Sequence, residues 1–246
     1  MRIVSPYRPF APESDEHQVL GPFDWVGALR MLSASADRSV RCETFAITDV
    51  DTDLPVPAFH FVTHERRLML WILEVSLRYL DSEHFDRDTV MVSPDMLVMG
   101  DLRPMFTADL GILVRLEEKH QASGRTILNQ AQWWKVKAKR RLVTFYERAL
   151  AIAKTLDEPL LTWGADTEPI RQLLEPLELG IGERAGLRVS MIDASDPMDS
   201  LSSVNINRLE HGLPLLVSRP LLDFRYTRKH HMRAVFESLF PAEVRA

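Results

Sequence analysis

The chain has 246 residues, enough for one large α/β domain or two small ones, and 46% of them are apolar, which excludes a disordered chain. Acidic and basic residues are interspersed to a formal charge of −5, which argues against a nucleic-acid binder with a basic face. One cysteine, Cys42, excludes an intrachain disulfide, and no run of about 18 apolar residues is present to span a membrane.

The N-terminus has no signal-peptide core, because Pro6 and Pro9 interrupt it. With the lone thiol this predicts a cytoplasmic protein. Residues 2–5 read as a first strand and Pro6-Tyr7-Arg8-Pro9 as the loop after it. Tyr7 has a ring that can stack on a base, and Arg8 a guanidinium that can meet a phosphate. A plain proline-rich connector explains the same residues. Residues 11–22 predict a polar surface loop. Over residues 23–35, Trp25, Ala28, Leu29 and Leu32 recur at helical spacing, with Trp25 read as core.

Residues 41–48 predict a second strand that runs into Asp49-Val50-Asp51-Thr52-Asp53. A calcium loop starting there would need glycine and glutamate where Leu54 and His60 stand, so the stretch reads as an acidic turn. Asp49, at a strand end, is a candidate contact to a ribose or base. Residues 58–62 predict a third strand. Residues 63–80 predict a helix capped by Thr63 and burying Leu70, Leu73, Leu77 and Leu80. Arg66 and Arg67 near its start oppose the helix dipole unless an anion is close. A phosphate, Asp95, or a surface glutamate would serve.

Residues 88–92 form a β-rich apolar run that must stop at Ser93-Pro94-Asp95, because Pro94 has no amide for a ladder and biases Ser93. Asp95 is therefore placed just past the C-terminal end of a buried strand, where open α/β sheets bind ligands. A second apolar run, residues 96–99, leads into a Gly100-Asp101 turn and a short helix or turn at 102–106. Residues 108–114 predict a strand in which Gly111 marks a close approach. Residues 115–124 are polar. Residues 126–130 turn from apolar to polar before Trp133 and Trp134, which read as core, with one of them a candidate for stacking on a sugar. Residues 137–156 predict a long helix. Asp166 is placed to cap a helix at 167–174, with Pro169 in its first turn. Then come a loop (176–185), a strand (187–192), a loop (193–203), an ambiguous stretch (205–208), a strand (215–217), and a last helix opening at Leu222 and ending near Phe240. No Walker loop, nucleophile elbow, Gly-x-Gly-x-x-Gly or zinc spacing occurs.

Residues 96–106, Met-Leu-Val-Met-Gly-Asp-Leu-Arg-Pro-Met-Phe, resemble the flank of the signature of GT-A glycosyltransferases of the family-8 type, in which a strand ends in Asp-x-Asp. Ser93-Pro94-Asp95 stands in the motif's place and keeps its second carboxylate. Trp163-Gly164-Ala165-Asp166 resembles the family's Trp-Gly-Gly-Asp-Gln turn. Residues 223–229 resemble its His-Phe-x-Gly-x-x-Lys, with Asp223 in place of the histidine and Lys229 matching the lysine. The resemblance implies a single α/β GT-A-like, Rossmann-like domain over residues 1–246, with a mixed central sheet flanked by helices. It implies a hexosyltransferase that moves a sugar from a nucleotide diphosphate sugar, a UDP-sugar first of all, to a hydroxyl acceptor. Mn²⁺ or Mg²⁺ would be held by Asp95 and Asp223. Tyr7, Arg8, Asp49 and Arg66 would meet the nucleotide, Asn129 and Gln130 the sugar, and Lys229 the diphosphate. Asp95 and Asp166 would be catalytic, Asp166 by orienting hydroxyls or as a general base. Transfer without a metal, on basic side chains, stays open. So does a second class, a non-catalytic GT-A-like protein that binds a nucleotide or a partner.

Overall fold

The computed structural model describes residues 1–9, 23–116, 125–158, 160, 164–224 and 226–241. The expected loop at 11–22, most of the polar segment 115–124, Trp163 and Arg225 lie outside the described residues. The strands are β1 (Arg2–Pro6), β2 (Thr44–Asp49), β3 (Ala58–Phe61), β4 (Thr89–Val92), β5 (Met96–Val98), β6 (Leu110–Leu116), β7 (Arg125–Trp134), β8 (Gly180–Arg184), β9 (Leu187–Asp193), β10 (Met198–Ser200) and β11 (Leu221–Asp223). Eight of them make one mixed sheet in the order β3-β2-β1-β4-β7-β6-β9-β8, and β10-β11-β5 make a small second sheet. In the large sheet β3, β2, β1 and β4 are mutually parallel, and β7 and β8 run antiparallel to their neighbours.

Alternation along the central strands sends successive side chains to opposite faces. Val4, Met91 and Trp134 enter a core covered by α2 (Leu68–Asp81), α3 (Lys139–Ala153) and α4 (Glu168–Leu174). Their chain neighbours Ile3, Val90 and Trp133 enter the other core, under α1 (Trp25–Val40). Both tryptophans are thus spent on packing, and neither is left for a sugar. A third cluster joins Ala28 of α1 and Leu97 of β5 to α6 (Met232–Leu239), with residues of α5 (Ser203–Glu210) at its margin. No helix among the described residues is long and apolar enough to cross a membrane.

Several local expectations are corrected. Thr63 does not cap a helix: its hydroxyl donates to Asp49, and the helix begins only at Leu68. The Glu65 carboxylate instead accepts the Arg66 and Arg67 amides at 2.9 Å, so both arginines precede the helix. The close approach at Gly111 is to the next strand, since a Cβ there would lie 3.1 Å from Trp133 Cβ. Part of the loop expected at 176–185 is β8. Ala185 (φ 49°) and Gly186 (φ 85°) make the tight left-handed turn that a two-residue hairpin needs. Residues 215–217 are not a strand, because Asn205 takes the partner's place: its side chain donates to Leu216 O and accepts from Leu216 N. The ambiguous residues 205–208 lie in α5, whose N-cap Ser202 accepts the Asn205 amide. Leu222 opens no helix, because residues 221–223 pair with Met96–Val98 as β11, and α6 starts at Met232.

Candidate active site

A cavity opens at the C-terminal ends of the parallel strands β1 and β4, the position where open α/β sheets bind ligands. Tyr7 and Arg8 arrive directly from β1. The Tyr7 amide still bonds Ile47 O at 3.0 Å, and burial, with the Asp24 carboxylate, pushes its phenol up. Arg8 is pinned by the carbonyls of Glu65 (2.7 Å) and Arg66, with its guanidinium 5.0 Å from the Trp71 ring centroid. The Trp71 indole donates to Asp49. Asp49 therefore orients the tryptophan beneath Arg8 and does not itself line the cavity. Arg66 contributes its carbonyl to Arg8, and its side chain is not part of the wall.

Asp95 stands past the end of β4, 7% exposed. Ser93 Oγ donates to its Oδ1, and Lys229 Nζ meets its Oδ2 at 2.8 Å. Lys229 comes from the 3₁₀ turn Tyr226–His231, and its ammonium lies 4.2 Å from the Trp25 ring centroid. Both partners of the pair are about nine-tenths buried, so removing either one alone would strand a buried charge, at about 3–5 kcal/mol.

The third part of the wall comes from a break in register. Pairing between β6 and β7 jumps from Ile112–Gln132 to Leu113–Leu128, so Asn129, Gln130 and Ala131 form a bulge. Asn129 Nδ2 donates to Asp166 Oδ2 at 2.8 Å, and Asn129 Oδ1 accepts from Gln132. Gln132 in turn accepts from Tyr146 and from Trp134 Nε1. This buried chain holds the Asn129 amide with its N–H toward Asp166. Asp166 is not the expected N-cap: Thr167 holds that position, with no side-chain capping bond. Burial pushes the Asp166 carboxyl up to about 6, against the hydrogen bond from Asn129. Gln130 also lines the cavity, and its Oε1 is buried with no hydrogen-bond partner among the described residues.

The structure thus brings Tyr7, Arg8, Asp95, Asn129, Gln130, Asp166 and Lys229 around one cavity, and leaves Asp49, Arg66 and Asp223 out of its wall. Asp223 is fully enclosed in β11, opposite Met96. Trp25, expected in the core, lines the cavity, as does Trp71. An aromatic at the start of an amphipathic helix carries no sequence mark of that role. A site for Mn²⁺ or Mg²⁺ needs several oxygen ligands around one point. Among the described residues no three His, Cys, Asp or Glu side chains converge so, and both Asp95 oxygens are already bonded. The residues present do not fit a divalent ion.

No family model and no curated protein sequence matches the chain. Solved structures do. A galactosyltransferase, LgtC, in complex with donor and acceptor sugar analogues superposes over 98% of this chain and 97% of its own, at a TM-score of 0.56 and 9% identity. A glycosyltransferase involved in glycosylation of the major capsid of PBCV-1 covers 94% and 98%, at 0.54 and 10%. The glycosyltransferase GlyE of Streptococcus pneumoniae covers 92% of this chain and 55% of its own, at 0.51 and 12%. With its eight-stranded mixed sheet between helices, the chain has the fold of the GT-A glycosyltransferases.

Proposed function

We propose that the protein transfers a hexose from a nucleotide diphosphate sugar, with a UDP-sugar the expected donor, to a hydroxyl acceptor. The observation that carries this is the convergence of a basic pair, Arg8 and Lys229, with the buried carboxylate of Asp166 in one cavity at the strand ends of a GT-A fold. The complex of LgtC with donor and acceptor sugar analogues supports the substrate class. Tyr7 and Arg8 hold the base end and Lys229 meets the diphosphate. Asn129 and Gln130 line the part of the cavity that takes the sugar, and Asp95 acts as the positioner of Lys229. In the transfer, the bond from the anomeric carbon to the diphosphate oxygen breaks with its electron pair going to the phosphate. The acceptor oxygen bonds the anomeric carbon, and its proton passes to Asp166 if the course is inverting. The cavity encloses about 210 Å³, below the roughly 300–1,000 Å³ of whole small-molecule sites, so it takes only part of the donor's bulk.

The test is release of UDP from a panel of UDP-hexoses. The wild type is expected to turn over at least one donor, with Asp166→Asn slower by about 10²-fold or more, the lower range for a positioned acid or base. One observation favours a second reading, a non-catalytic nucleotide-binding protein: Ser93 stands where the motif has a carboxylate, and Asp95 is neutralised by Lys229. Binding of UDP without turnover of any donor would select it.

A further inference from the structure

We propose that Lys229 stands in for the divalent cation of this site, so that the donor diphosphate is bound and released without Mn²⁺ or Mg²⁺. The inference rests on the nucleotide-diphosphate reading above. Its basis is the arrangement around Asp95. The carboxylate has two oxygens, one taken by the Ser93 hydroxyl and the other by the Lys229 ammonium. The second expected ligand, Asp223, is enclosed in β11 and contributes nothing to the cavity wall. An ion entering at Asp95 would have to displace an ammonium that is already nine-tenths buried, and would face its charge.

The ammonium itself is suited to the task. It has three N–H donors. One goes to Asp95, the Trp25 ring lies 4.2 Å away, and Lys229 is part of the cavity wall, where the remaining donors can meet phosphate oxygens. Its burial keeps the charge from being screened by salt. Arg8, on the same wall, supplies a second positive charge toward a dianionic group. When the bond from sugar to phosphate breaks, the electron pair goes to a phosphate oxygen and the ammonium hydrogen-bonds it. No proton or electron need come from elsewhere. Asp95 then acts through Lys229, as a positioning residue.

Two titrations on the full chain test this. The first follows Mn²⁺ by electron paramagnetic resonance with no nucleotide present. The expected result is no site tighter than about 1 mM, the weak end of protein sites for hard cations. A site a hundredfold tighter that Asp95→Asn abolishes would overturn the proposal. The second measures UDP by calorimetry in EDTA and in Mn²⁺. Affinities are expected to agree within about twofold, and the double variant Asp95→Asn/Lys229→Met, which strands neither charge, to lose about tenfold or more in both. A tenfold gain on adding Mn²⁺, or a double variant that binds like wild type, overturns it. If UDP binds in neither buffer, the donor reading fails and the role of Lys229 toward a diphosphate falls with it. The Mn²⁺ titration still reports separately whether Asp95 holds an ion.

Discussion

Asp166 couples the chemistry of the cavity to the stability of the protein. Its carboxyl titrates near 3.8 when unburied and about 6 in the fold, where burial outweighs the hydrogen bond from Asn129. Below about pH 4 it is protonated in both states and costs nothing. Between about pH 4 and 6 the unfolded chain ionises while the fold keeps the proton, and stability is lost with rising pH. Above that window the folded protein carries the buried charge, at a cost of about 3 kcal/mol. Asp166→Asn removes the charge and keeps an acceptor for Asn129. It is expected to raise stability by about 1–3 kcal/mol at pH 8 and by little at pH 4, read from urea midpoints at the two values. An equal change at both would mean that burial does not govern this carboxyl. The same substitution is the one expected to slow turnover, so the residue trades stability for function.

At the scale of elements, the site depends on a short, buried strand with one edge that no strand pairs. β5 follows Asp95 directly and lies at the edge of the small sheet, where backbone groups would lack partners. Two serines one turn apart on α1 close that edge. Ser35 Oγ accepts the Val98 amide at 3.0 Å and Ser39 Oγ donates to Val98 O at 2.9 Å. The helix thereby serves as a fourth strand for one residue and holds the segment that carries Asp95. Ser35→Ala leaves the Val98 amide buried without its acceptor, at an expected cost of about 1–3 kcal/mol in urea unfolding. A loss under about 0.5 kcal/mol, the usual range for surface substitutions, would show that water or a backbone shift repairs the edge.

The whole molecule is arranged so that its most protected strands end at the cavity. β1 and β4 are interior to the sheet and covered on both faces, whereas β3 and β8 are its edges, with Ile181 of β8 half exposed. Local opening follows that order. In native-state hydrogen exchange, the amides of Ile3, Val4, Val90 and Met91 are expected to be the slowest class and those of β8 among the fastest. Exchange from β4 as fast as from β8 would contradict the interior placement on which Asp95 depends. A rigid floor fits the need of a transfer site to hold its charged groups in place before the reaction.

How much of this could be read from the sequence follows from the range of the forces involved. The β-rich apolar run at 88–92 and the proline after it are local signals. They place a buried strand and put Asp95 past its end, and the structure has both. Helical spacing marked α1, α2 and α3 for the same reason, although the start of α2 slipped because Thr63 found a partner in Asp49, outside its own segment. What the sequence could not carry is pairing between distant residues. Lys229 reaches Asp95 across 134 positions, and Asn129 reaches Asp166 only because β7 breaks register against β6. Asp49 sat at a strand end as read, yet the Trp71 indole claimed its carboxylate. Local pattern therefore determined where the strand ends lie. Tertiary packing decided which charges meet there, because a buried carboxylate must take whichever donor the fold brings to it.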